Sequence, residues 1–154
     1  MTISDQDSAV SDLWELGVER IFGQHDIPQS VLVSGWSKVE DQHVWNDGIE
    51  CVQTLVFRDP GRAITITLEC MPFIRAHCTV QEVTLFVGGL RLGHWSLMRP
   101  DVHFLTATAP SNLLDIQNGI ATLTCVWLLP NACRPAIAGD MRELALCFRA
   151  MTLS

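Results

Sequence analysis

Apolar and polar residues alternate in short blocks along most of this chain, with the period of half-buried β-strands. In the block 63–70, Ile64, Ile66 and Leu68 fall on one side and Thr65, Thr67 and Glu69 on the other. The block before it, 50–57, runs into Arg58-Asp-Pro-Gly-Arg62, where Pro and Gly hold the favoured central places of a turn. The two blocks read as an antiparallel hairpin. A second hairpin joins 79–87 to 90–95 through Gly88-Gly89, a two-residue turn that accepts positive φ at both positions. Further strands are expected at 31–36, 102–108 and 119–129. Single helical turns are expected at 111–115 and at 136–138, the latter within a loop from Pro130 to Gly139.

Two segments admit either reading. Residues 16–22 alternate as a strand does, but a helix from Ser11 to Phe22, capped by Ser11 or Asp12, competes with it. Gly17 would cost that helix ~1 kcal/mol. Residues 143–153 alternate at Leu144, Leu146 and Phe148, with a helix as runner-up because Leu, Ala and Met are good helix formers. Turn signals recur about every dozen residues or less, and no βαβ rhythm competes. The pattern predicts an all-β fold: a single-domain antiparallel β-sandwich of jelly-roll type with eight or nine strands. It would occupy residues 12–154 behind a flexible N-terminus, 1–11, with no repeat or linker.

Composition narrows the class without naming a function. The 154 residues are 48% hydrophobic and 18% charged, enough to bury a core and too apolar for a disordered chain. No apolar run approaches the ~20 residues of a membrane helix, so no membrane insertion is expected. The net charge of -7 argues against nucleic acid as partner, as does the lack of a basic stripe. Lys38 is the only lysine, which leaves nine of the ten basic residues as arginine.

Six cysteines carry no CxxC pair, and four of them, Cys51, Cys70, Cys125 and Cys147, sit in apolar strand-like stretches as small hydrophobes. The N-terminus is acidic and shows no apolar stretch of signal-peptide type. Six free thiols in a reducing cytoplasm are therefore the expectation. A zinc site from Cys78, His77 and distant partners lacks paired spacing, so no metal and no cofactor is assigned. No nucleophile elbow, HExxH or phosphate loop is present, and no catalytic residue is assigned.

Tryptophan is the suggestive residue, with five copies and no tyrosine. Trp36 and Trp45 flank a polar loop containing Glu40, Asp41, Gln42 and His43. Flat indoles beside carboxylates, an amide and an imidazole suit a sugar, whose C–H face stacks while its hydroxyls take hydrogen bonds. The competing reading makes both indoles core anchors. Arg142 is expected to pair with Glu40 or with Asp140, buried or exposed.

Three stretches then acquire meaning together: Gly35-Trp36-Ser37-x-x-Glu40-x-x-x-x-Trp45-x-x-Gly48, Val87-Gly-Gly-x-x-x-x-x-Trp95, and Leu129-Pro-Asn-Ala-Cys-Arg-Pro135 followed by Asp140-x-Arg142-x-Leu144. In order and spacing they resemble a β-sandwich domain appended to bacterial glycosyltransferases and other polysaccharide-biosynthesis proteins, over about residues 16–153. The chain departs from that pattern at His43, Gly88 and Ala145, where the family has glycine, asparagine and glycine. The resemblance implies a non-catalytic, carbohydrate-binding-module-like unit that binds a glycan or assists a glycosyltransferase in bacterial surface-polysaccharide synthesis. The alternatives are a protein-interaction or assembly module, docking a partner enzyme or forming a homo-oligomer, and, behind both, a jelly-roll sugar-modifying enzyme.

Overall fold

The computed structural model describes residues 13–154. The flexible segment 1–11 and the alternative helix caps Ser11 and Asp12 fall outside the described residues. Seven long strands and four short ones form two antiparallel sheets. In one sheet, β11 (Leu146–Leu153) and β5 (Ile64–Pro72) are central, and β8 (His103–Ala109) is one edge. The short strands β1 (Arg20–Ile21) and β3 (Val44–Trp45) share the far side of β11. In the other sheet the order is β2 (Leu32–Ser34), β4 (Glu50–Arg58), β10 (Ile120–Leu128), β6 (Gln81–Val87) and β7 (Leu90–Leu97), with β9 (Asp115–Gln117) also on β10. The sequence pattern survives as burial: every second residue of β4, β5, β6 and β10 is buried, and the inward sets meet between the sheets. Trp127, Phe148, Phe22, Phe57 and Leu55 fill the centre.

The Gly88-Gly89 hairpin forms, with Gln81 opposite Leu97 and Val87 opposite Leu90. The other expected hairpin does not. β4 pairs with β10 and β2, whereas β5 pairs with β11 and β8, in the opposite sheet. Residues 59–63 arch from one sheet to the other, so Phe57 and Ile64 enter the core from opposite sides. Asp59 stabilises the arch, its N–H donating to Gly119 O and its Oδ1 accepting from Gly61 N–H. A Pro-Gly turn reverses the chain equally well within a sheet or across the ~10 Å between sheets, which is why period and turn residues did not separate the two.

At 16–22 only Arg20–Ile21 is paired, because Leu16 and Gly17 turn the chain at a glycine φ of 82°. The segment 143–153 is a strand from Leu146, with a bulge at Arg149. Ser111–Leu113 is a 3-10 turn, whereas 136–138 is irregular, closed by Asp140 N–H to Ile137 O.

The recognised motifs turn out to be fold determinants. Gly35 has φ 79°, and a Cβ there would lie 2.1 Å from Glu50 O, so no other residue lets β2 leave β4 at that point. Trp36 donates its indole N–H to Val52 O at 2.7 Å and meets Phe148 edge-on at 4.7 Å. Trp95 lies over Gly93, where a Cβ would come within 2.4 Å of the indole ring.

Candidate functional site

Beyond one end of the sandwich, three pieces of chain are tied together. The β5–β6 connector closes on itself through paired backbone bonds between Arg75 and Cys78. The β10–β11 connector does the same between Cys133 and Leu144. Phe73 N–H donates to Ala145 O at 2.8 Å, and His77 Nε2–H to Arg134 O at 3.0 Å, joining the two connectors. A disulfide between Cys78 and Cys133 joins them covalently. Six free thiols were expected; the structure has four, all buried. The two bonded cysteines are the ones outside apolar strand runs, where two loops hold them together.

The third piece is β3 with the residue after it. Asn46 is fully buried, and all its amide capacity is used. Its Oδ1 accepts from Ala145 N–H and Leu146 N–H, both at 2.8 Å, and its Nδ2 donates to Gly48 O at 2.8 Å and Glu143 O at 3.3 Å. This one side chain clamps the approach to β11 against β3.

Between the three pieces lies a cup of about 440 Å³. Trp45, Phe73, Pro135 and Leu144 supply its apolar lining, with Trp45 edge-on to Phe73 at 6.1 Å. Arg75, His77, Asp140 and Arg142 supply its polar groups, and Ile137, 67% exposed, forms a lip. Asp140 and Arg142 make a bidentate pair, Nε to Oδ1 at 2.9 Å and Nη2 to Oδ2 at 2.7 Å. Side-chain and backbone hydrogen bonds from Arg142 hold the Asp140 carboxyl down at about 2, and the same contact raises the Arg142 guanidinium. Arg142 also donates Nη1–H to Ser37 Oγ at 3.1 Å, bringing the 37–43 loop to the rim.

The six sequence-selected sugar contacts do not converge on one spot. Trp45 lines the cup, but Trp36 packs inward on Phe148 with its N–H bonded to the backbone. Glu40 pairs with His43 Nε2 at 2.8 Å rather than with Arg142. Asp41 is exposed, near His25 at 4.0 Å, and the Gln42 amide reaches only Asp41 at 3.4 Å. Trp36 borders a separate depression of about 680 Å³ beside β2, with Ser34, Ser37, Lys38, Gln24 and Gln29. That hollow is larger, but its indole is anchored in the core, and no carboxylate or guanidinium among the described residues lines it. Phe73, Arg75 and Ile137 escaped the sequence reading, and His77 entered it only as a weighed zinc ligand beside Cys78. Their signal was there: a Phe-Ile-Arg-Ala-His-Cys run between two strands, ending in a cysteine that lies in no strand. Among the described residues no group of three or more His, Cys, Asp or Glu side chains is placed to hold a metal ion.

No family model matches the chain, and no curated protein matches it. Among solved structures it is similar to a family GH115 4-O-methyl-alpha-glucuronidase with specificity for decorated arabinogalactans, at TM-score 0.52 and 8% identity. That match covers 92% of this chain and 18% of the glucuronidase, so the chain spans less than a fifth of that protein. A carbohydrate-binding module, CBM36, in complex with calcium and xylotriose superposes at TM-score 0.46 and 9% identity, covering 89% of this chain and 99% of the module. TmCBM61 in complex with beta-1,4-galactotriose gives 0.38 and 9%, covering 91% and 90%. At 8% identity, the likeness to the glucuronidase segment establishes a shared β-sandwich fold.

Proposed function

We propose that this domain binds carbohydrate, and that the cup between Trp45, Phe73 and Arg142 is where it does so. The observation that carries the reading is the cup's composition: an indole wall faces planar hydrogen-bonding groups in a volume fit for one or two sugar rings. The disulfide and the Asn46 clamp hold its three walls in place before a ligand arrives, which lowers the entropy cost of binding.

Binding without catalysis is the better reading. Glycoside hydrolysis needs two carboxyl groups, one of them protonated near neutral pH. Among the described residues the cup has one, Asp140, and Arg142 keeps it ionised down to about 2. Among the described residues no Ser, Thr or Cys nucleophile lines it.

A role beside glycan synthesis, with a glycosyltransferase as partner, rests on the three motifs alone. Gly35, Trp36 and Trp95 in them are explained by folding, so they speak for the sandwich more than for a pathway. The disulfide favours an oxidising compartment over the cytoplasm. The described residues contain no helix long and apolar enough to cross a membrane. The second reading is an assembly module. Its support is β8, which among the described residues pairs only with β5 and shows Phe104 65% exposed on its outer face.

Replacing Trp45 by alanine tests the proposal. Isothermal titration with neutral and acidic oligosaccharides should show wild-type binding of ~1 mM or tighter, about -4 kcal/mol. The folded variant should be at least tenfold weaker. Equal binding by the folded variant would move the site elsewhere, and no binding by either protein would favour the assembly module.

A further inference from the structure

The cup's charge differs from that of the molecule around it. The chain carries -7, yet two guanidiniums and one carboxylate line the cup. Those two arginines are not equivalent. Arg142 has its fork filled, by Asp140 on two nitrogens and by Ser37 on the third. Arg75 is exposed; its Nη1 donates to Ile74 O at 2.8 Å, and no carboxylate among the described residues pairs with it. Its guanidinium carbon sits 4.5 Å from the centre of the Phe73 ring, a cation–π contact that holds the group at the cup wall. Next to it, His77 uses Nε2–H on Arg134 O, which leaves Nδ1 as an acceptor for a hydroxyl. A guanidinium with free N–H groups, beside an apolar wall and a hydroxyl acceptor, matches a sugar bearing a carboxylate.

We infer that the cup selects uronic-acid-containing glycans, with Arg75 reading the carboxylate, Trp45 the ring face and His77 a hydroxyl. This rests on the carbohydrate reading of the same cup and adds the class of sugar to it. Local geometry does the selecting, because the net charge of the chain repels anions in general.

The test uses a uronate oligosaccharide, its methyl ester of equal length, which keeps the shape and removes the charge, and a neutral oligosaccharide. Each is titrated into wild type, Arg75→Gln and Arg134→Gln, the last a charge control outside the cup lining. Wild type should prefer the acid over the ester by about tenfold, in line with a charge-assisted pair that is largely solvent-exposed. Arg75→Gln should abolish that preference while keeping ester binding, and Arg134→Gln should keep it. Equal binding of acid and ester by wild type would overturn the selectivity and leave the carbohydrate site standing. So would a preference that persists in Arg75→Gln, or one that Arg134→Gln removes equally. If folded wild type binds none of the three sugars, the carbohydrate reading falls and the uronate inference with it.

Discussion

Asn46→Leu is the substitution through which the architecture of the site is most exposed to experiment. Leucine is close to asparagine in size, so little cavity is created, and the change isolates the hydrogen bonds. Asn46 Oδ1 is the acceptor for Ala145 N–H and Leu146 N–H, and both of those residues are fully buried. Removing it leaves two donors away from water, at roughly 1–3 kcal/mol each. The two amide donor bonds, to Gly48 O and Glu143 O, are lost as well, but both residues are only half-buried, which gives their carbonyls access to water. Leucine's extra burial returns part of the cost, so the net loss should be about 2–4 kcal/mol. For a domain of this size that corresponds to a fall in melting temperature of roughly 5–12 °C. Urea titration followed by Trp fluorescence reads it directly, as a lower midpoint at unchanged slope. Glycan affinity should fall too, because the clamp positions Trp45 and Leu144. A loss below about 1 kcal/mol would mean that water reaches the two amides and that the clamp does not organise the end of the sandwich.

Alkylation of the unfolded, unreduced protein should add four labels rather than six, counted by mass. In the native state near pH 8 it should add almost none, since burial pushes the Cys70, Cys125 and Cys147 thiols up to about 12 and Cys51 well above its ordinary value. Because those folded values are raised, stability is full below the ordinary thiol pKa near 9 and should drain away as pH rises from there towards about 12. Replacing Cys78 and Cys133 by alanine releases a link across a sequence separation of 55, worth up to ~4 kcal/mol by loop-closure entropy, and should weaken glycan binding more than Cys70→Ala does. Asp140 has a depressed carboxyl, so its pairing with Arg142 is complete above about pH 4 and lost as pH falls through about 2. Binding that persists at pH 4 and fails in Asp140→Asn would agree with this; loss of binding already at pH 5 would not.

The strands were readable because a sheet with one face in the core imposes period 2, and Ile64, Ile66 and Leu68 show it plainly. Their partners were not readable to the same degree. Asp59-Pro60-Gly61 reverses the chain whether the next strand joins its own sheet or the facing one, and only the three-dimensional core decides. The site was half visible for a related reason. Trp45 stood out by its chemistry, but Trp36, equal to it in sequence, points to the other side of the same loop and belongs to the core. Phe73, Arg75 and Ile137 come from connectors more than 60 residues apart for the extreme pair, and they meet only because Cys78 joins Cys133 and Phe73 N–H finds Ala145 O. Asn46 carries no local sign of its role, since three of its four hydrogen bonds reach residues about 100 positions away.

Whether sugar enters the Trp45–Phe73 cup can be read directly. Chemical-shift mapping on labelled protein, titrated with a uronate oligosaccharide, locates the contact without a substitution. The largest, saturating shifts should fall at the Trp45 indole N–H, the Ile137 methyls and the Arg75 and His77 signals. Shifts concentrated on Trp36, Lys38 and Gln29, or none at any concentration used, would contradict sugar entry into the cup.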